Sequence, residues 1–180
     1  CRYPFRELAG VGVAYKLAEA LLSRESDLEQ ARVTLEQQLD LVALGTVADL
    51  SPLLGENRLM VKLGLQQINK GGRVGLRTLI ATAGLGGRTI DADSVAYALA
   101  PRLNAAGRMG DARLSLELLT CCSEPEAAGM AAELEAANRD RQAATAGALA
   151  AAREELSTMD ELPAAIVLAG DYPSGVVGLV

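Results

Sequence analysis

A chain of 180 residues is long enough for one ordinary domain with a buried core. Half of its residues are hydrophobic but only 3% are aromatic, so the core must be built from Leu, Val and Ala, which favours closely packed helices over a β-sandwich. A formal charge of −6 excludes a generally basic nucleic-acid-binding coat but leaves room for a local positive groove.

Cys1, Cys121 and Cys122 have neither disulfide-framework nor metal-ligand spacing and fit a reducing, cytoplasmic compartment. No segment reads as a signal peptide or a membrane span. With no histidine, catalysis must rest on carboxylates, hydroxyls or metal-bound water, and hard oxygen ligands suit Mg²⁺ or Mn²⁺ over zinc. The start at Cys1 and the apolar close Gly175–Val180 read as the edges of a fragment.

Leu8–Leu22 has helical spacing, with Val11, Ala14, Tyr15, Leu17, Ala18, Leu21 and Leu22 expected in the interior. Thr34 with Gln37 has the form of a capping box and predicts the start of a second helix. It runs into Leu39–Leu50, apolar almost all round and so expected to be deeply buried, and stops at Ser51–Pro52. Glu56–Lys70 is a further helix stopped by Gly71–Gly72, and Arg73–Ala83 a shorter one closed by Gly84–Gly87. Asp91 can cap a helix through Ala100, after which Pro101 is expected to divert the chain into a loop. Asp111–Leu119 is helical again. Ser123 and Glu126 form a second capping box, with Pro125 in the permissive first turn. The helix it opens runs to about Leu156 with a thin apolar line (Met130, Leu134, Leu149, Leu156). At roughly 45 Å, such a helix suits a bridge between domains. Beyond Leu162–Pro163, Ala164–Ala169 reads as a buried strand, Asp171–Ser174 as a turn and Gly175–Val180 as the start of a helix whose free N–H groups could bind an anion.

Two places carry chemistry. Pro101–Asp111 gathers Arg102, Asn104, Gly107 and Arg108. Guanidinium groups bind phosphate as a bidentate fork and glycine permits close backbone approach, so the segment is either a phosphate site or a hinge with solvated or salt-bridged arginines. Asp49 closes a buried helix at the negative end of its dipole, where a carboxylate needs a compensating cation. A divalent metal would supply one; the alternative is an aspartate satisfied by the following turn with Ser51 sharing the work. Asp40 looks structural or superficial.

Tyr3–Leu21 (YPFRELAGVGVAYKLAEAL), Leu39–Leu54 (LDLVALGTVADLSPLL) and Ala100–Ala112 (APRLNAAGRMGDA) resemble the RecJ branch of the DHH phosphoesterase superfamily, as do Glu133–Gln142 (ELEAANRDRQ) and the closing SGVVGLV. The resemblance implies an α/β protein of which this chain is a mainly α part. Residues 1–120 would be the later part of a DHH catalytic domain, 121–158 an interdomain connector helix, and 159–180 the beginning of a DHH-associated domain. It implies a two-metal Mn²⁺ or Mg²⁺ centre with Asp49 as ligand and catalytic residue, the other ligand motifs lying upstream of Cys1. The implied reaction is 5′-to-3′ hydrolysis of single-stranded DNA in repair and recombination, with Arg102, Asn104, Arg108, Ser174 and Gly175 on the DNA. By the same resemblance the protein is cytoplasmic and monomeric, has replication or repair proteins as partners and contacts no membrane, and the chain alone is inactive. One departure is that Tyr172 and Pro173 replace the family's Trp-His ahead of Gly175. A DHH phosphodiesterase acting on short oligonucleotides or cyclic dinucleotides, and a non-catalytic nucleic-acid-binding subunit, are the alternatives.

Overall fold

The computed structural model describes residues 3–24, 27–109, 111–159, 164–170 and 172–179. It is built from helices α1 (Gly10–Leu22), α2 (Leu28–Ala48), α3 (Gly55–Lys70), α4 (Val74–Thr82), α5 (Ala92–Ser94), α6 (Ala100–Met109), α7 (Arg113–Thr120) and α8 (Glu124–Ser157). A π-helical turn, Val95–Leu99, joins α5 to α6, and a 3₁₀ turn, Val177–Leu179, lies near the end. The described residues contain no strand, in keeping with the mainly α expectation.

The apolar half of α2 is the spine. Leu39, Val42, Ala43, Leu44 and Val47 are all buried, and α3 makes its most extensive contact against them. The two backbones touch: a Cβ added to Gly64 would collide with the Leu39 carbonyl oxygen. The main core continues through Leu79, Val95, Leu99, Leu118 and Leu134, bringing in α4, the π turn, α7 and α8. Polar residues fix the connections. Asn57, fully buried, donates through Nδ2 to the carbonyls of Glu7 (2.7 Å) and Pro52 (3.0 Å). Asn69 exchanges two 2.8 Å hydrogen bonds with the backbone of Ile90.

Several starts and stops differ from the sequence reading. Helix α2 begins earlier than Thr34, because Asp27 caps it by accepting from the Gln30 N–H at 2.9 Å. Thr34 lies inside the helix, its hydroxyl returned to the Gln30 carbonyl. Asp91 does cap α5, accepting from the Ser94 N–H and hydroxyl, and these hydrogen bonds hold its carboxyl below the usual aspartate value. Pro101 does not end the helix. The π turn before it places the Ala100 N–H on the Val95 carbonyl, a wider bond that absorbs the proline, and Arg102 Nη1 donates to the Ala98 carbonyl at 2.8 Å. The arginine segment through Met109 is therefore helical rather than a loop.

Ser123 stands at the N-cap of α8 without a side-chain cap. Its N–H, the group a capping box would give to Glu126, donates to Cys121 Sγ at 3.3 Å. The 34 residues of α8 make a rod of about 51 Å. Its buried line is Ala127, Ala131, Leu134, Asn138, Ala148 and Ala152; of the expected residues Leu134 is buried, and Met130, Leu149 and Leu156 are half-buried.

Helix α1 keeps Val11, Tyr15, Ala18 and Leu22 half-buried, but Ala14, Leu17 and Leu21, expected inside, are exposed. It packs mainly against α2, with Val11 and Tyr15 also set against Met60 of α3 in a small cluster. Ala164–Ala169 is irregular and mostly exposed, with Val167 90% accessible, so the expected buried strand does not form: no described strand offers it a ladder of hydrogen bonds. The expected domain opening at Leu162–Pro163 and the turn residue Asp171 lie outside the described residues.

Candidate nucleic-acid interface

Where α2 ends, its last turn faces α6 across an open cleft of about 330 Å³. Ala48 and Leu50, the neighbours of Asp49, line it together with Tyr97, Asn104, Arg108 and Arg141, and Leu179 of the terminal 3₁₀ turn. Among the described residues no acidic side chain lines it, so this is a basic concavity on an acidic chain.

Each polar group arrives by a different route. Asn104 and Arg108 lie one helical turn apart on α6, both exposed. Arg108 also reaches the terminal segment, where its Nη1 donates to the Gly175 carbonyl at 3.3 Å. The backbones are close as well, for a Cβ on Gly175 would collide with the Arg108 carbonyl oxygen, which only glycine avoids. Arg141 comes from α8, where Nε (3.3 Å) and Nη2 (3.0 Å) donate to the Oδ1 of Asn138, itself buried. That bond fixes the guanidinium while leaving donors free. Neither Arg108 nor Arg141 forms an ion pair with a described residue.

Arg102 is placed differently. Its guanidinium is paired with Glu135 of α8 and bonded to the Ala98 carbonyl, at 16% side-chain exposure. The sequence-predicted residues thus divide: Asn104, Arg108 and Gly175 gather at or beside the cleft, Ser174 is exposed in the adjoining turn, and Arg102 is engaged within the helix packing.

Asp49 is the C-cap of α2; its N–H donates to the Gly45 carbonyl, and the Leu50 N–H donates to the Val47 carbonyl. The helix is buried as expected, but the Asp49 carboxylate is not: it is exposed and accepts from the Ser51 hydroxyl at 3.2 Å. Desolvation therefore plays no part at Asp49 in this chain. Asp40, in contrast, is buried and clamped by Arg73, whose Nε and Nη2 donate to its two oxygens at 2.7 and 3.1 Å. A polar cavity of about 350 Å³ lies beside this pair, but its arginine and aspartate already satisfy one another.

No protein-family model matches the chain. RecJ of Bacillus subtilis (strain 168), named a single-stranded-DNA-specific exonuclease, is 42% identical over 182 residues, covering 100% of this chain and 22% of that protein. RecJ of Escherichia coli (strain K12), named likewise, is 36% identical over 192 residues, covering 100% of this chain and 33% of its own length. The crystal structure of RecJ from Thermus thermophilus in complex with Mn²⁺ matches with a TM-score of 0.70 at 39% identity, over 80% of this chain and 22% of that one. The chain is a relative of RecJ. It spans only 22% to 33% of the length of these curated RecJ proteins.

Thermus RecJ has been solved with Mn²⁺ and with Mg²⁺. In this RecJ relative the Asp49 carboxylate is a hard oxygen donor with a single side-chain hydrogen bond, a chemistry that suits either ion. Among the described residues no group of three or more His, Cys, Asp or Glu gathers to hold a metal, so an ion at Asp49 would need further ligands from outside them. Sequence reasoning missed Arg141, Tyr97 and Leu50. A signal for Arg141 was present: Asn138 follows Leu134 by four residues and so lies on the buried line of α8, and a buried amide there requires a partner such as the side chain three positions on.

Proposed function

We propose that this chain is part of a RecJ-like, metal-dependent exonuclease that removes nucleotides from single-stranded DNA in the 5′-to-3′ direction. The observation that carries the reading is the cleft itself, where two arginines without acidic partners among the described residues and an exposed asparagine stand beside the end of the helix that bears Asp49. In this reading Arg108 and Arg141 bind successive backbone phosphates, Asn104 hydrogen-bonds phosphate or sugar oxygens, and the Gly175 carbonyl keeps the Arg108 guanidinium turned to the terminal segment. Asp49 would hold a divalent cation with ligands from outside the chain; such an ion, when bound, supplies Lewis-acid activation of the phosphodiester. Asn138 orients Arg141 by accepting two of its N–H bonds.

The domain reading belongs to the same proposal. Residues 1–120 would complete a catalytic DHH domain and α8 would be the connector. In support, the first half of α8 packs on α4, α6 and α7, while Ala148 further along shares a small cavity with Ala169, Gly170, Tyr172 and Pro173. Residues from 159 onward would open the associated domain. A single-stranded DNA substrate and the free thiols of Cys121 and Cys122 suit a cytoplasmic protein, monomeric and working with repair proteins. Among the described residues no helix is long and apolar enough to cross a membrane.

The test uses the full-length protein that contains this chain. Asp49→Ala should abolish Mn²⁺-dependent release of nucleotides from a 5′-labelled single strand while leaving binding of that strand near wild type. Normal turnover in the variant would remove Asp49 from the metal site.

A further inference from the structure

Leu50 and Tyr97 are highly exposed large hydrophobic side chains lining the cleft, at 84% and 81% accessibility, and both stand on irregular backbone. Leu50 has φ 54°, the left-handed region that residues other than glycine rarely adopt, at a cost on the order of 1 kcal/mol. Tyr97 is the middle residue of the π turn, whose Val95 and Leu99 are fully buried, so the turn delivers two anchors to the core and holds the phenol ring outside it. A π turn is a local departure from the α-helix that recurs at functional sites. Neither side chain contributes much burial to the fold.

We infer that Tyr97 is a stacking platform for an unpaired nucleobase, with Leu50 as a second apolar surface for the same nucleotide. The inference rests on the single-stranded DNA reading above and adds to it the part of the substrate that phosphate contacts do not address. An aromatic face stacks on any base, so the contact is sequence-tolerant, and a base already stacked in a duplex must leave its neighbours to reach it. Arg108 and Arg141 line the same cleft as the ring, so a nucleotide whose phosphate they hold has its base within the concavity that Tyr97 and Leu50 border. Tyr97 thereby makes the cleft selective for strands whose bases are free.

The experiment measures binding of the full-length protein that contains this chain, with divalent ions chelated, to fluorescein-labelled oligothymidylate of about a dozen nucleotides, and to an abasic strand of equal length and charge. Tyr97→Ala should weaken oligothymidylate binding about tenfold, the size expected of one base–aromatic stack. It should bind the abasic strand as wild type does and keep the wild-type salt dependence, and Tyr97→Phe should retain full affinity. The ring is exposed, so circular dichroism should find the helices intact. If Tyr97→Ala binds oligothymidylate like wild type while Arg108→Ala is weakened, the cleft holds DNA without stacking and the inference is overturned. If wild type binds neither strand, or Arg108→Ala changes nothing, the DNA reading itself fails and stacking goes with it.

Discussion

Arg102 and Arg108 belong to one helix and have the same side chain, yet the packing gives them opposite uses. Arg102 faces α8, where Glu135 and the Ala98 carbonyl take up its donors. Arg108 faces the cleft, with one long hydrogen bond to the Gly175 carbonyl and no acidic partner among the described residues. Seen from the sequence the two are interchangeable candidates for phosphate binding. Partner and exposure decide the matter: an arginine paired to a carboxylate has committed its fork to the fold, while one held only by a carbonyl can still bind an anion.

The largest expected effect takes the paired kind to its buried extreme. Asp40 and Arg73 form a two-bonded ion pair at 7% and 19% side-chain exposure, with Arg73 also bonded to the Leu119 carbonyl and the Gln38 amide oxygen. Asp40→Ala leaves a guanidinium mostly out of water without its countercharge, and should lower unfolding free energy by about 3 kcal/mol in urea denaturation. Replacing both partners by apolar residues of similar size should recover most of that loss. A cost near zero for Asp40→Ala would mean that the paired class contributes little to the fold.

Next in size is the contrast on α6 itself. Arg102→Ala should destabilise the chain by about 1–2 kcal/mol, since it removes a charge-assisted bond to Glu135 and the hydrogen bond to the Ala98 carbonyl. Arg108→Ala should stay within about 0.5 kcal/mol of wild type in the same denaturation experiment. The order reverses for single-stranded DNA. Arg108→Ala should weaken binding and reduce the slope of log K against log salt by about one, whereas Arg102→Ala should keep the wild-type slope. The opposite pairing of results would exchange the roles assigned to the two arginines.

How far such roles can be read from a sequence depends on the range of the physics behind them. The ends of α3 and α4 were legible because a glycine in the left-handed region is a local signal: Gly71 and Gly84 both have φ 73°. The start of α2 was not legible, because Thr34 with Gln37 meets the capping-box pattern while the fold places the cap at Asp27. Pro101 was misread because a proline ordinarily breaks a helix, and the π turn that accommodates it involves residues whose own preferences are unremarked. The strand expected at Ala164–Ala169 required a partner that no local pattern can supply. Residue chemistry alone pointed to Asn104, Arg108 and the turn at Gly175, to which the resemblance to RecJ along the whole chain attached a role on DNA, and the structure brings these three to one place. It could not separate Arg102 from Arg108, because that distinction arises only when α8 lies down on α6.

The smallest effect belongs to charges that are paired but remain near water. Tyr3 donates to both carboxylate oxygens of Glu56 (2.8 and 3.0 Å), and Lys16 bridges Glu56 and Glu19 at 3.1 Å each, tying the start of the chain to α1 and α3. The Tyr3 hydrogen bond, followed by Lys16, holds the Glu56 carboxyl below the ordinary glutamate value. Stability from that shift is therefore present above the unfolded value of about 4.3 and is lost as pH falls through the lower folded value. Lys16 goes the other way: burial opposes its charge, but the bonds to Glu19 and Glu56 outweigh this and raise its value, so its contribution is lost only in strong alkali. Glu56→Gln should thus lower the melting temperature modestly at neutral pH and flatten the acid side of the profile, so that variant and wild type converge as pH falls through the folded value. High salt should shrink the difference between variant and wild type, because the pairs are accessible to solvent ions. The same salt should weaken DNA binding through Arg108 in the wild type. If salt leaves the Glu56→Gln difference intact, the bond from Tyr3 rather than the charge of Lys16 sets the shift, which would make this cluster a hydrogen-bonded tether akin to Arg102 rather than a solvated charge akin to Arg108.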